Sequence, residues 1–102
     1  MPKDFTERKI LNEEYQNEIY NIYYQYQNII KPYVAQLEVM DNEFPIEILN
    51  EIRAIMGHIA KAYETNDKES IEKNIEKAHS HLKRGILDCY KYLCYTYKDY
   101  YK

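Results

Sequence analysis

Apolar and polar positions alternate along nearly the whole chain with the period of an α-helix, and no segment alternates as a strand does. The first stripe predicts an amphipathic helix from about Phe5 to Asp41, with Asp4-Phe-Thr-Glu7 in capping-box spacing. Pro32 interrupts this stripe and should either kink the helix or end it near Ile30. The stripe consists of Leu11, Tyr15, Ile19, Ile22, Tyr26, Ile29, Tyr33, Leu37 and Met40.

Two polar breaks divide the rest of the chain. In the first, VMDNEFP, Pro45 suits the first turn of a helix, and in the second, TNDKES, Asn66 or Asp67 can cap one. The pattern therefore predicts helices over 45–64 and 67–100, and one domain, 1–102, of the all-α class. We expect an antiparallel bundle of three to four helices with long first and last helices. The later stripes comprise Ile48, Leu49, Ile52, Ile55, Met56, Ile59, Ala62 and Tyr63, then Ile71, Ile75, Ala78, Leu82, Ile86, Cys89, Leu93 and Tyr100.

The unequal helix lengths lead to a prediction about assembly. The middle helix would span ~30 Å and the flanking helices ~50 Å each, so their tyrosine-rich ends should extend beyond it at opposite ends of the bundle. Tyrosine suits a surface that is buried in a complex and soluble outside it. The last overhang therefore predicts a homo-oligomer with an interface formed by Tyr90, Leu93, Tyr97, Tyr100 and Tyr101.

Two alternatives would account for the tyrosines without an oligomer. A first helix folded back at Pro32 would cover them within one chain. Alternatively, they could stack on the bases of a single strand, with Lys91, Lys98 and Lys102 on its phosphates. The hydroxyl group itself looks selected, because the chain has 13 tyrosines and only 2 phenylalanines.

Composition narrows the range of functions. A net charge of −3 argues against broad binding to nucleic acid, although a local basic patch remains compatible with it. Cys89 and Cys94 lie five residues apart and point in different directions on one helix, so they should not pair. There is no zinc-type Cys/His spacing, no signal peptide and no long apolar run. We expect a reduced, cytoplasmic protein without metal, cofactor or membrane contact.

Both glycines fall inside predicted helices, where glycine costs ~1 kcal/mol relative to alanine. Polar residues surround them: Gly57 adjoins His58 and lies one turn from Arg53, while Gly85 adjoins Arg84. In a hairpin centred near residue 66, Glu51 and Arg53 would face His81 and Arg84. One interpretation is a phosphate- or nucleotide-binding site formed by Arg53, His81, Arg84 and Asp88. The second interpretation is a pair of small-residue seams with a solvated, salt-bridged face.

Arg53-Ala-Ile-Met-Gly-His58 resembles the R-x4-H pattern of HEPN domains, small and often dimeric helical bundles, many of which cleave RNA. The resemblance covers about fifteen residues, and Ala54 replaces the polar residue usual after the arginine. It implies a metal-independent ribonuclease in which His58 is the general base and Arg53 stabilises a phosphate.

A second pattern resembles helical accessory domains of uncharacterised bacterial proteins, some encoded near phage-defence genes. That resemblance implies binding or sensing rather than catalysis. From the sequence we therefore favour a non-enzymatic, self-associating interaction or regulatory module, with bacterial conflict with phage as one setting, over an RNA-cleaving or RNA-binding protein and a nucleotide-binding bundle. The residues in the second pattern are Glu51, Arg53, His58, Lys77, Ala78, His81, Leu82, Arg84 and Asp88.

Overall fold

The computed structural model describes residues 10–41 and 45–100, without the side chains of residues 41, 96, 97, 99 and 100. All the regular elements in these ranges are helical, which confirms the all-α class. The predicted capping box at Asp4 lies outside the described residues. In chain order the elements are α1 (Glu13–Gln25), a π-helix (Tyr26–Ile30), α2 (Lys31–Asp41), α3 (Ile46–Glu64) and α4 (Lys68–Tyr100).

Local chemistry fixes the helix ends. The Asn12 side chain accepts a hydrogen bond from the backbone N–H of Tyr15, at 2.8 Å, and so caps α1. Pro45 precedes the first turn of α3, where its missing N–H costs nothing. The predicted cap at Asp67 is confirmed, because its carboxylate accepts from the N–H of Ser70 at 3.2 Å. These caps place α3 and α4 within one residue of their predicted bounds.

The first helical segment and the last run in the same direction, and α3 runs against both. Tyr15 contacts Glu72, and Ile30 lies beside Gly85, so α1 and the π-helix follow α4 from its beginning. In contrast, Glu51 of α3 contacts His81 of α4. The closest helix packing is between α3 and α4, while α1, the π-helix and α2 also pack on α4. α4 is therefore the central helix of the bundle.

One apolar core runs the length of this arrangement. Its members, each less than a tenth exposed, come from every helix and include two residues that are not aliphatic, Tyr15 and Cys89. Burial of each large apolar side chain adds ~1.5–3 kcal/mol to the free energy of unfolding. The remaining core residues are Leu11, Ile19, Ile22, Ile30, Val34, Leu37, Ile48, Ile55, Ile59, Ala62, Ile71, Ile75, Ala78, Leu82 and Leu93.

Pro32 neither ends the first helix nor folds it back. The chain instead widens into the π-helix directly before it, where the Lys31 N–H bonds to the Tyr26 carbonyl five residues earlier. A proline ring clashes with the carbonyl four residues before it in an α-helix, and a wider turn relieves this clash. The extra residue shifts two buried positions by one, while Leu37 is buried as predicted. Ile30 and Val34 are buried in place of the predicted Ile29 and Tyr33.

The predicted overhang of the first helix is wrong. Tyr15 bonds to Glu72, four residues after α4 begins, so α1 starts level with the α3–α4 connection rather than beyond it. At the opposite end of the bundle, Glu47 at the start of α3 bonds to Tyr92, and α4 continues past that level from Leu93 to Tyr100. α2 accompanies α4 there. The described molecule measures 54 × 24 × 18 Å.

Candidate functional site

The contact between α3 and α4 contains a chain of polar groups, which we call the polar seam: the side chains of Glu51, His58, Asn74 and His81, and the backbone carbonyl of Ser70. Nδ1 of His81 lies 3.4 Å from a Glu51 carboxylate oxygen, and both side chains are mostly buried. This is the one side-chain contact at ion-pair distance among the residues that the structure describes. It confirms the predicted hairpin register, in which Glu51 faces His81.

The second half of the polar seam was not predicted. Nδ1 of His58 lies 3.0 Å from Oδ1 of Asn74, and the Asn74 amide nitrogen donates to the Ser70 carbonyl at 2.9 Å. The bond to Ser70 fixes the orientation of the Asn74 amide, so its oxygen faces His58. An amide oxygen can only accept, and Nδ1 of His58 therefore carries the proton. The neutral ring then has Nε2 as its only acceptor. No sequence motif marks Asn74, since only the fold brings it opposite His58.

The two histidines of the polar seam also contact each other. Their rings stack with centroids 5.4 Å apart and an angle of 15° between the planes. Each ring is held at Nδ1, His81 by a carboxylate and His58 by an amide, so both are fixed in orientation. Within the described ranges, no group of three or more His, Cys, Asp or Glu side chains is arranged to hold a metal ion.

The structure does not bring the predicted arginines into the polar seam. Arg53 and Arg84 are exposed, whereas His58 is half-buried. Arg53 precedes His58 by five residues, a rotation of about 140° around α3 at 3.6 residues per turn. The Asp88 side chain is half-buried and raises the pKa of the neighbouring Cys89 thiol, although burial is the main cause of the rise to about 11. Both cysteines are free, as predicted.

The residues behind the two resemblances occupy different environments. In the second pattern, Ala78 and Leu82 belong to the core, while Lys77 is exposed. The R-x4-H pattern has its arginine in solvent and its histidine bonded to Asn74. A catalytic role for Arg53 and His58 stays a prediction.

The two glycines have different environments as well. A Cβ on Gly85 would lie 3.3 Å from Cδ1 of Ile30 and 3.5 Å from Cβ of Glu51. Gly85 therefore allows α4 to pack closely against its neighbours, as the small-residue interpretation predicted. A Cβ on Gly57 would meet nothing within 4 Å. Close packing among the described residues does not explain Gly57.

Three tyrosine hydroxyls connect the helices. The Tyr15 hydroxyl donates to the Glu72 carboxylate at 2.7 Å, which, with burial, raises the pKa of Tyr15 to about 12. The Tyr92 hydroxyl donates to Glu47, so the pKa of Tyr92 rises to about 12 and that of Glu47 falls. A hydrogen bond to Tyr90, followed by burial, raises the pKa of Tyr33. The rings of Tyr33 and Tyr90 meet edge to face, with centroids 4.9 Å apart.

These contacts change the role of the predicted interface. Leu93 belongs to the chain's own core and is only 6% exposed, so its assignment to an interface is wrong. Tyr90 is half-exposed but already packs on Tyr33. Tyr101 and the side chains of Tyr97 and Tyr100 lie outside the described residues. The α4 overhang is thus partly covered within one chain.

A different surface is both apolar and open. A groove of about 200 Å³ lies between α1, the π-helix and α3, where it is lined by Tyr23, Tyr26, Ile52, Ile55 and Met56. The pKa of Tyr23 is raised, first by burial and then by the nearby Tyr63 hydroxyl. Tyr63 therefore lies beside the groove. On the outer side of α1, the rings of Tyr20 and Tyr24 lie 6.4 Å apart. We call the exposed side chains here the tyrosine face: Tyr20, Tyr23, Tyr24, Met56 and Tyr63.

The sequence does contain a signal for this surface. From Ile19 to Ile30 the chain reads IYNIYYQYQNII and has no charged residue, although charged residues make up 30% of the whole. Depletion of charge is the usual compositional mark of an interface core.

Comparison with known proteins assigns no family. No protein-family model matches the sequence, and no match is found among curated proteins or solved structures. None of the helices in the described part of the chain is long and apolar enough to cross a bilayer.

Proposed function

We propose that this protein is a non-enzymatic helical module that self-associates through the groove between α1 and α3. The main observation in support of this proposal is that groove, together with the tyrosine face around it. Both α1 and α3 pack on α4, and their backbones leave an apolar channel between them. A helix laid in such a channel would complete a fourth position around the core.

The occupant is a second copy of the same chain. In a two-fold dimer, residues near the axis face their own symmetry equivalents. A charged residue there would meet a like charge, whereas the uncharged run from Ile19 to Ile30 avoids this repulsion. The surface also supplies both parts of the contact, since exposed rings such as Tyr20 and Tyr24 stand beside the groove that can receive them.

Features of α3 support close approach of the second copy. Met56 is 64% exposed at the groove, and a flexible thioether adapts its shape to a partner. Gly57 and Ala60, both exposed, leave the adjoining outer surface of α3 low. No described neighbour in the chain requires glycine at position 57. Close contact with a second copy would explain why the residue there is glycine.

The test compares two exposed apolar residues on opposite sides of the molecule. Met56→Glu would place a charge in the groove, and Leu87→Glu would place the same charge on the outer side of α4, where Leu87 is 67% exposed. We expect wild type and Leu87→Glu to be dimers in sedimentation velocity at micromolar concentration. Met56→Glu should weaken dimerisation at least tenfold, because a charge would be buried without a partner.

A folded wild-type monomer at 100 µM or above would contradict the proposal, as would equal weakening by both variants. Circular dichroism on each variant separates loss of association from loss of folding. If Tyr97→Ala weakens the dimer and Met56→Glu does not, the interface lies at the end of α4 instead.

A further inference from the structure

A second surface, on the opposite side from the groove, carries unbalanced positive charge. Lys77, Arg84, Lys91 and Lys98 follow each other at seven-residue intervals, so they lie close to one line along α4. All four are exposed, as is Lys83 beside Arg84. At 1.5 Å per residue the line is ~32 Å long, with ~10 Å between successive cations. We call these five side chains the basic ridge.

Little of the charge of the basic ridge is neutralised by the described residues, although the Glu47 carboxylate of α3 interacts with Lys91. Between Lys77 and Lys98 the one carboxylate is Asp88, which is half-buried. None of the five cations forms an ion pair with a described residue, since the one such pair joins His81 to Glu51. The ridge is thus a strongly positive surface on a chain whose net charge is −3. Its cations stand about one Debye length apart, so they repel each other little in physiological salt.

Exposed aromatic rings accompany the cations. Tyr95 is 56% exposed, and the Lys91 ammonium lies 6.0 Å from the centre of its ring. Tyr90 is 48% exposed on the opposite flank. Cations that follow a backbone and aromatic rings on which bases stack are the two elements of single-strand recognition.

The shape of the basic ridge excludes two further classes of anionic ligand. It follows the outer side of one helix, and its cations line none of the cavities bounded by Glu14 and Glu72, by Tyr23 and Ile52 or by Lys61 and Ser70, so a small phosphate compound would lack those pockets. Leu87 is the one large aliphatic side chain exposed on it, which is too little apolar surface for insertion into lipid. We propose that the basic ridge binds single-stranded nucleic acid, with the five cations on successive phosphates and Tyr95 stacked on a base.

This proposal does not depend on self-association, because the groove and the basic ridge lie on opposite sides of the bundle. The test is fluorescence anisotropy of a labelled twenty-residue oligothymidine between 20 and 300 mM KCl. Five phosphate contacts predict that log K falls with log salt with a slope of about −3.5. Arg84→Gln with Lys91→Gln should reduce the slope by about 1.4, since each lost contact removes about 0.7.

The control variant is Lys31→Gln with Lys61→Gln, which removes two exposed cations from α2 and α3 and should leave the slope unchanged. Tyr95→Leu should weaken binding about fivefold or more while keeping the slope, because it removes stacking and no charge. Equal weakening by the ridge and control variants would overturn the proposal. So would absence of binding at 20 mM KCl, equal competition by polyglutamate, or preference for vesicles of anionic lipid.

Discussion

Tyrosine hydroxyls hold the helices of this bundle together at three points. Tyr15 joins α1 to α4, Tyr92 joins α4 to α3, and Tyr33 meets Tyr90 between α2 and α4. A phenylalanine would fill the same space without the hydrogen bond, which is worth ~0.5–1.5 kcal/mol in a typical protein. The excess of tyrosine over phenylalanine therefore has a cause inside the monomer, in addition to any cause at an interface.

These bonds predict a loss of stability at alkaline pH. Tyrosine in an unfolded chain ionises near pH 10, whereas the pKa of Tyr15 and of Tyr92 is about 12 in the folded protein. The unfolded state therefore loses its protons first. The stabilisation is complete below pH 10 and declines as pH rises from 10 towards 12.

Guanidinium unfolding at pH 9 and pH 11 measures this decline. Tyr15→Phe with Tyr92→Phe should lower stability at pH 9 and make the further loss at pH 11 smaller than in wild type. The titration of lysines is common to wild type and the double variant, so it cancels when their losses between pH 9 and pH 11 are compared. An identical decline in wild type and the double variant would show that these hydroxyls are not the cause.

Replacing each of the two glycines by alanine should affect stability differently. At a protein concentration where the chain is monomeric, Gly57→Ala should raise the free energy of unfolding by about 0.5–1 kcal/mol, because the new methyl group meets no described atom of the same chain and alanine favours a helix. Gly85→Ala should bring no gain, since Ile30 is fully buried and cannot readily move from the added Cβ.

Urea unfolding of both alanine variants provides the comparison. An equal gain at the two positions would mean that the contact at Gly85 is looser than its 3.3 Å distance indicates.

For contacts between single residues, the sequence supports a prediction only where residue spacing alone determines which two side chains meet. The Glu51–His81 pair followed from the position of the hairpin turn. The His58–Asn74 bond and the Tyr92–Glu47 bond did not, because each depends on which way a side chain rotates after the helices have packed.

Among the helices, the π-helix has the largest effect on the fold. It inserts one residue into an otherwise α-helical run and brings Ile30 and Val34 to the core. Within it the Asn28 side chain donates to the Tyr24 carbonyl at 2.8 Å, which supplies an additional donor to the widened turn. It also positions Tyr26 at the groove.

A one-residue deletion tests this description. Removing exposed Gln27 should convert the π-helix to α-helix and keep Ile30 and Val34 in the core, provided that Pro32→Ala removes the clash of the ring. Removing exposed Ser80 from α4 should instead rotate the following residues by about 100° and take Cys89 and Leu93 out of the core.

We expect the Gln27 deletion with Pro32→Ala to retain cooperative thermal unfolding by circular dichroism. The Ser80 deletion should abolish it, because displaced core residues cost ~1.5–3 kcal/mol each against a total of ~5–15 kcal/mol. Loss of cooperativity in both deletions would indicate that the π-helix is required for folding.

Helix type and the bounds of α3 and α4 were predictable because turn signals and periodicity are local. The predicted start of the first helix near Phe5 was wrong, since residues 10–12 are not helical and α1 begins at Glu13, capped by Asn12. The apolar stripe was wrong by one residue at Ile29 and Tyr33 and correct again at Leu37, because a π-helix leaves no distinct pattern in a single sequence. The overhang of the first helix was wrong for a separate reason. Helix lengths do not specify how far neighbouring helices slide along one another, and contacts such as Tyr15–Glu72 determine that.

The molecule as a whole has two kinds of surface on opposite sides. An uncharged aromatic groove lies between α1 and α3, and the basic ridge follows the outer side of α4. The groove was not predicted from the sequence, because it combines residues of separate helices that only packing on α4 brings together. Part of the basic ridge was, since Lys91 and Lys98 were expected as phosphate contacts in the single-strand alternative.

The elongated shape affects how the molecule diffuses. Its radius of gyration is 16.3 Å, whereas a compact chain of this length has about 13 Å. A rod-like particle experiences more friction than a sphere of equal mass, so even a monomer will elute early from a gel-filtration column calibrated with globular standards. Its elution volume alone would overstate its mass, so mass must be measured directly, by sedimentation equilibrium or light scattering.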